Sequence, residues 1–134
     1  MDPLIACDLQ SLTRALNELI INALTHGARG CPIDLSWRAE QDEVAIIVHN
    51  AGSKLSQRKL DLWHEPFSQH PNVLTGRDGA LGIGLTTARL IAELHGGRLD
   101  LSSEEGRGTT ARLFLPVSKL KPDRIVADRL ALAV

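Results

Sequence analysis

Residues 82–97 read GIGLTTARLIAELHGG, and Gly106-Arg-Gly-Thr109 follows a few residues later. Ile83 to His95 has helical period through Leu85, Ala88, Ile91 and Ala92, with Leu94 alongside, and Gly96-Gly97 stops it. Just upstream stands Gly76-Arg-Asp-Gly79-Ala-Leu81, so glycines open this helix as well as end it. Of the 11 glycines in the chain, eight fall between Gly76 and Gly108. Glycine costs conformational entropy, so such a cluster marks backbone that turns sharply or approaches something closely. A glycine loop running into a helix lets backbone N–H groups converge on an anion, with the helix dipole adding partial positive charge. Gly79-Ala-Leu-Gly82-Ile-Gly84 is only loosely like a dinucleotide fingerprint, and it follows a polar loop, which disfavours a Rossmann unit. No G-x-x-x-x-G-K-[ST] is present. From these residues alone, a structural turn and a phosphate cradle both remain open.

On the N-terminal side, residues 8 to 27 read as a helix with Leu12, Leu16, Leu19 and Ala23 on one stripe. Asp8 or Ser11 can cap its start, and Gly27 or Gly30 can end it. Ile33 to Arg38 alternates as a half-buried strand does. Glu43 to His49 is nearly continuous in apolar residues and therefore central. Asn50-Ala-Gly-Ser53 is a turn, and Ser56 to Trp63 forms a short helix ended before Pro66. Ser68 to Leu81 is a polar loop of about a dozen residues, a length typical of lids and binding segments. Beyond the central helix, Arg98 to Ser103 and Thr109 to Pro116 form a hairpin through the turn Glu104 to Gly108.

This order gives an α+β two-layer sandwich: a mixed, mostly antiparallel sheet with helices on one face. Residues 1–116 make one domain. Residues 117–134, ending in LKPDRIVADRLALAV, form a short amphipathic helix or a linker.

Composition sets the outer bounds. A length of 134 residues suits a single domain, and 43% hydrophobic with 23% charged residues is ordinary for a globular protein. A net charge of −1 and 3% aromatics argue against a nucleic-acid partner. No apolar run nears the ~18 residues of a membrane span, so direct membrane contact by this domain is not expected. Cys7 and Cys31 have neither metal-site nor disulfide spacing, which reads as a reducing cytoplasm.

Within the first helix, Glu18 and Asn22 are four apart and share a face, which Thr25 and His26 continue. A solvated helix side explains such a row. So does a carboxylate and a carboxamide acting together on a metal–phosphate, since an amide oxygen is a neutral Mg²⁺ ligand and Glu can orient or take a proton.

Taken in order, the polar helix, the Asn50-Ala-Gly52 turn, Trp63-His-Glu-Pro-Phe67, the glycine loop into a helix, and Gly106-Arg-Gly-Thr109 before a strand closely resemble one family. It is the ATP-binding catalytic domain of sensor histidine kinases, within the wider group of gyrase, the Hsp90 chaperones and mismatch-repair ATPases. The resemblance covers roughly residues 8–116 and implies a Bergerat-type ATP-binding fold. It implies that Glu18-Leu-Ile-Ile-Asn22-Ala is the N box, with Asn22 holding Mg²⁺ at the phosphates and Glu18 as general base. It sets Asn50 and Gly52 in the first glycine box, where the leading residue contacts the adenine amino group. Phe67 matches the phenylalanine box flanking the lid. Gly82 and Gly84, with Gly79, Leu81, Ile83 and Leu85 around them, match the second glycine box at the phosphates. Gly106, Gly108 and Thr109 match the last, near the adenine.

Departures from the family pattern matter as well. Its usual leading Asp is Asn50 here, and its second glycine is Lys54. An Asn carbonyl still accepts from adenine N6 but without charge, and its NH₂ can donate to a guanine O6, so weaker purine discrimination is expected. The Lys common three residues past the N-box Asn is Thr25, leaving His26, Arg29 or Arg77 of the lid as the phosphate-facing cation.

A phosphate-accepting histidine in an H-[ED]-x-x-[TNS]-P setting is absent. Among His26, His49, His64, His70 and His95, only His64 precedes a carboxylate, and the phenylalanine box accounts for it. The resemblance therefore implies ATP and Mg²⁺ as ligands, a histidine-bearing dimerisation domain elsewhere as acceptor, and a response regulator downstream. An anti-sigma-factor type of serine/threonine kinase, a non-catalytic nucleotide-binding or docking module, and a gyrase-type ATPase are the alternatives.

Overall fold

A computed structural model describes residues 4–52, 54–64 and 83–118. The first helix, α1 (Leu9–His26), is capped by Asp8, whose carboxylate accepts from the Ser11 backbone N–H at 3.2 Å and from the Ser11 hydroxyl. Those bonds hold the Asp8 carboxyl below the usual carboxylate range. At the other end the Gly27 N–H donates to the Ala23 carbonyl at 2.8 Å. Ala15, Leu19 and Ala23 are buried, and Leu12 and Leu16 pack against them, as the stripe requires.

Two strands follow, β1 (Ile33–Glu40) and β2 (Glu43–Asn50), then α2 (Gln57–His64). After the undescribed segment come α3 (Ile83–Leu94), β3 (Arg98–Glu104) and β4 (Gly108–Pro116). The sheet order is β1-β2-β4-β3, and each neighbouring pair is antiparallel. An open antiparallel sheet with helices on one face is the expected α+β architecture, with β2 central as its apolar run requires. Among the described strands no pair is parallel, so the mixed character foreseen for the sheet does not occur there.

Strand parity assigns the faces. Val48, Leu99, Leu101, Ala111, Leu113 and Leu115 alternate toward the helices and join Ala15, Leu19, Leu85, Ala88 and Ala92 in one buried cluster. Burying these side chains is the main favourable term in folding, at ~25 cal/mol per Å² of apolar surface. On the opposite face Ala45 and Phe114 are register partners, and the Arg98 guanidinium lies 3.8 Å from the Phe114 ring centroid. Glu43 holds that guanidinium through two bonds, at 2.9 and 3.3 Å, and raises its pKa further.

Two sequence readings need correction here. Leu94 is 75% exposed and does not share the buried face of α3. And β1 is not half-buried: apart from Ile33 all its residues are exposed, with Leu35 at 60% and Trp37 at 58%. The physical reason is placement. β1 is the sheet edge, and α1 sits mainly over β2, so Leu35 and Trp37 on the inward side of β1 stay more than half exposed.

Candidate functional site

The buried stripe of α1 faces the sheet, which turns the residues just ahead of it toward α3. Glu18 precedes Leu19 and Asn22 precedes Ala23, so both carboxylate and carboxamide stand half-buried on that flank, one turn apart. On α3 the matching position is Gly84. A Cβ built there would fall on the Glu18 carboxylate, so the bare backbone of Gly84 is what leaves room for that carboxylate in its present position.

Farther along, β2 ends at Asn50 on the same inward parity as Val44 and Val48. Asn50 is 4% exposed and pairs in register with Thr109, which is 5% exposed. The Asn50 side-chain NH₂ donates to the Ala51 carbonyl at 3.2 Å, which orients the amide and leaves Oδ1 as its acceptor end. Ala28 N–H donates to the Ala51 carbonyl at 2.7 Å, tying the turn to the end of α1. Gly52, at φ 147°, packs against the His26 carbonyl and the Ala28 nitrogen, where a Cβ would stand 3.1 and 3.2 Å away.

Ser103 completes this corner. Its hydroxyl accepts from Leu55 N–H at 2.9 Å, donates to the Gly108 carbonyl at 3.2 Å, and lies 3.0 Å from the Thr109 hydroxyl. One buried serine thus fixes the segment after the Asn50 turn to the start of β4. Ser103 was not among the residues foreseen. Its signal was a polar residue at an inward position of β3, directly opposite Thr109. Arg89 was also missed. It lies 5.1 Å from the Trp63 ring centroid and donates to the Trp63 carbonyl at 2.7 Å, joining α3 to α2.

Other foreseen residues fall into three groups. His26 is exposed at the end of α1, and Thr25 bonds its own helix at the Ile21 carbonyl, 2.8 Å away. Leu85 is 2% exposed within the core, so only its backbone can meet a ligand. Ile83 begins α3. Phe67, Arg77, Gly79, Leu81 and Gly82, with the polar loop Ser68 to Leu81, lie outside the described residues. Among the histidines, His49 bonds the Thr110 hydroxyl at 2.8 Å on the outer sheet face. His95 accepts the Asp8 N–H at 3.0 Å and meets the Ile91 carbonyl at 2.8 Å, latching the end of α3 to the start of α1.

A hollow of about 410 Å³ opens beside the end of α1 and reaches Asn50 and Ala51, but it contains neither Glu18 nor Asn22. Glu18 instead lies against the backbone of Gly84, where α1 and α3 pack together. Among the described residues no cluster of three His, Cys, Asp or Glu side chains exists. A hard divalent ion would therefore take one amide oxygen from Asn22 and the rest from phosphate and water, which is how Mg²⁺ is commonly held beside nucleotides.

The fold is a two-layer α+β domain with a half-buried polar row on α1, a bare glycine backbone facing it on α3 and a buried carboxamide at the end of β2. Residues 7–119 match the family described as histidine kinase-, DNA gyrase B- and HSP90-like ATPases, and the chain belongs to that family. It is 32% identical over 115 residues to the alginate biosynthesis sensor protein KinB of Pseudomonas aeruginosa, covering 86% of this chain and 19% of KinB. It is 34% identical over 116 residues to the methanogenesis regulatory histidine kinase FilI of Methanothrix harundinacea, covering 85% of this chain and 13% of FilI. With the sensor protein CutS of Streptomyces coelicolor it shares 31% identity, covering 79% of this chain and 26% of CutS. The chain thus spans about a quarter or less of these relatives. Among solved structures, the catalytic domain of the histidine kinase ThkA superposes with a TM-score of 0.67 at 22% identity, covering 84% of this chain and 70% of that one. Within its family the chain is an ATP-binding catalytic domain of the two-component sensor kinase type.

Proposed function

We propose that the domain binds Mg·ATP beside the polar row of α1 and the start of α3 and presents the γ-phosphoryl group to a histidine on a dimerisation domain, from which it passes to a response regulator. What supports this reading is the close approach of the Gly84 backbone to the Glu18 carboxylate, one turn from Asn22 on α1, together with the buried Asn50–Thr109 pair at the end of β2.

Asn22 would hold the metal, which supplies neutralisation of phosphate charge when bound. Phosphoryl transfer needs mostly positioning and charge compensation, so the remaining chemistry rests on fixed groups. Backbone N–H groups at the start of α3 have no partner within the helix itself and would suit phosphate oxygens. Glu18 takes or orients the acceptor proton, from a position held by its packing against Gly84. Asn50 offers Oδ1 to the purine 6-amino group. One N–H of its NH₂ is held by the Ala51 carbonyl, which orients the amide and leaves Oδ1 as the acceptor for that amino group.

No described helix is long and apolar enough to cross a membrane. A cytoplasmic site of action is part of the proposal, since it is where ATP is supplied.

The test is transfer in trans. The chain is incubated with γ-labelled ATP, Mg²⁺ and a dimerisation domain from a sensor kinase relative. The expected product is labelled protein whose phosphate is lost in acid and kept in base, as phosphohistidine requires. An acid-stable label would instead support a serine/threonine kinase of the anti-sigma-factor type, and Mg·ATP binding without transfer to any offered domain would support a non-catalytic module.

A further inference from the structure

The two edges of the sheet differ in what they expose. β3 turns Leu99 and Leu101 toward the helices, where they are buried, and exposes Arg98, Asp100, Ser102 and Glu104. β1 leaves its apolar side open. Leu35 is 60% and Trp37 58% exposed, beside a groove of about 460 Å³ that also takes in Ile5, Leu16, Ile20 and Ile46. An edge strand is ordinarily protected by proline, lysine, a bulge or an inward-pointing charge. Residues 33–40 hold no proline and no lysine, and their register with β2 runs unbroken. Their inward positions, Ile33, Leu35, Trp37 and Ala39, are all apolar.

Backbone groups on this edge are free as well. The turn between β1 and β2 consists of Gln41 and Asp42 and closes on the pair Glu40↔Glu43. In such a hairpin the closing pair is hydrogen-bonded, so the bonds to β2 come from the even-numbered residues of β1. The N–H and C=O groups of Ile33, Leu35, Trp37 and Ala39 therefore point out along the open edge. Among the described residues nothing bonds them.

The strand is also complementary to itself. In an antiparallel pair of two β1 strands centred on Ser36, Leu35 stands opposite Trp37 of the second copy, and Ile33 opposite its Ala39. These are the residues whose backbone groups are free. On the outer face Asp34 stands opposite Arg38 of the second copy, and symmetry repeats the pair. Asp34 is exposed and has no ion pair among the described residues. Arg38 is 54% exposed and meets Glu40 through Nε at 2.8 Å, which leaves both of its Nη groups to a second carboxylate. Recentring the pair on Trp37 sets Asp34 against Glu40, and recentring it on Leu35 leaves Arg38 opposite Pro32. Charge therefore selects the Ser36 register.

We propose that two copies of this chain associate through β1, antiparallel about a two-fold axis at Ser36, joining their four-stranded sheets into one continuous sheet. Each Trp37 then closes on Leu35 of the other copy, and the two apolar grooves meet across the joint. One strand pair is a small interface, so the association is weak and depends on concentration.

Sedimentation velocity of the full chain, from micromolar to sub-millimolar protein, tests this. The weight-average mass should climb from 14.6 kDa toward twice that value. Asp34→Arg and Arg38→Asp each set like charges opposite one another at both symmetry-related places. Each should weaken association by about tenfold or more. Both positions are exposed, so circular dichroism should stay that of the wild type. Mixed in equal amounts, the two variants should associate again, because every opposed pair is then of opposite sign. Trp37→Lys should stay monomeric alone and in either mixture. A wild-type chain that is monomeric at every concentration overturns the proposal. So does a dimer that both charge variants leave intact, or a pair of monomeric variants whose mixture stays monomeric.

Discussion

Replacing Asn22 by Ala is expected to remove metal-dependent ATP binding while leaving the fold intact. Asn22 is half-buried on the α3 flank of α1, and its side chain is not part of the buried cluster. Alanine is the best helix former, so α1 loses no propensity. What is lost is the one neutral oxygen that the polar row offers to a hard cation. A reduction in Mg·ATP affinity of about 100-fold, close to 3 kcal/mol, is the expected size. Titrations with Mg²⁺ and with EDTA separate the metal contribution: the wild-type difference between the two should vanish in the variant. Phosphotransfer should fall with it. An Asn22→Ala chain that binds and transfers as the wild type does would remove Asn22 from the site.

The second large effect is structural and local to the Asn50–Thr109 corner. Gly108 has φ 87°, a conformation that side chains rarely adopt. A Cβ there would fall on the Asn50 carbonyl oxygen and the Ala51 Cα, both backbone atoms that cannot rotate away. Gly108→Ala must therefore strain its own backbone and push β4 from the end of β2 at the Asn50–Thr109 pair. A loss on the order of 3 kcal/mol, seen as a fall of about 10 °C in melting temperature, is expected. Gly84→Ala makes the contrast. There the added methyl meets the far end of the Glu18 side chain, which can turn aside. Stability should change by no more than about 1 kcal/mol, while phosphotransfer drops because Glu18 is displaced. If Gly84→Ala were the less stable of the two and fully active, the close approach of α1 and α3 would be a packing feature only.

Much of this was legible in the sequence because local chemistry and global packing agree. The α1 stripe, its Asp8 cap and its Gly27 stop are set by neighbours within a turn. The β3–β4 hairpin is signalled by its turn residues, and β2 by an apolar run that only a central strand can hide. The likeness to kinase domains adds the order in which the polar pieces occur. What escaped is tertiary. The alternation of β1 is real, but alternation states which residues share a face and not whether a helix covers that face. Leu94 keeps helical spacing yet lies past the end of the sheet contact. Ser103 and Arg89 act through partners 48 and 26 residues away, Leu55 and Trp63, which no local window joins. For Asn50, no orientation of the amide could be read from sequence; the bond to the adjacent Ala51 carbonyl sets it.

The most direct test of the central claim is isothermal titration of the full chain with a nonhydrolysable ATP analogue and Mg²⁺. Saturable binding of one analogue per chain, weakened when Mg²⁺ is withheld and weaker still for the guanine counterpart, is the predicted result. No heat of binding up to millimolar analogue, from a chain that is folded by circular dichroism, would contradict it.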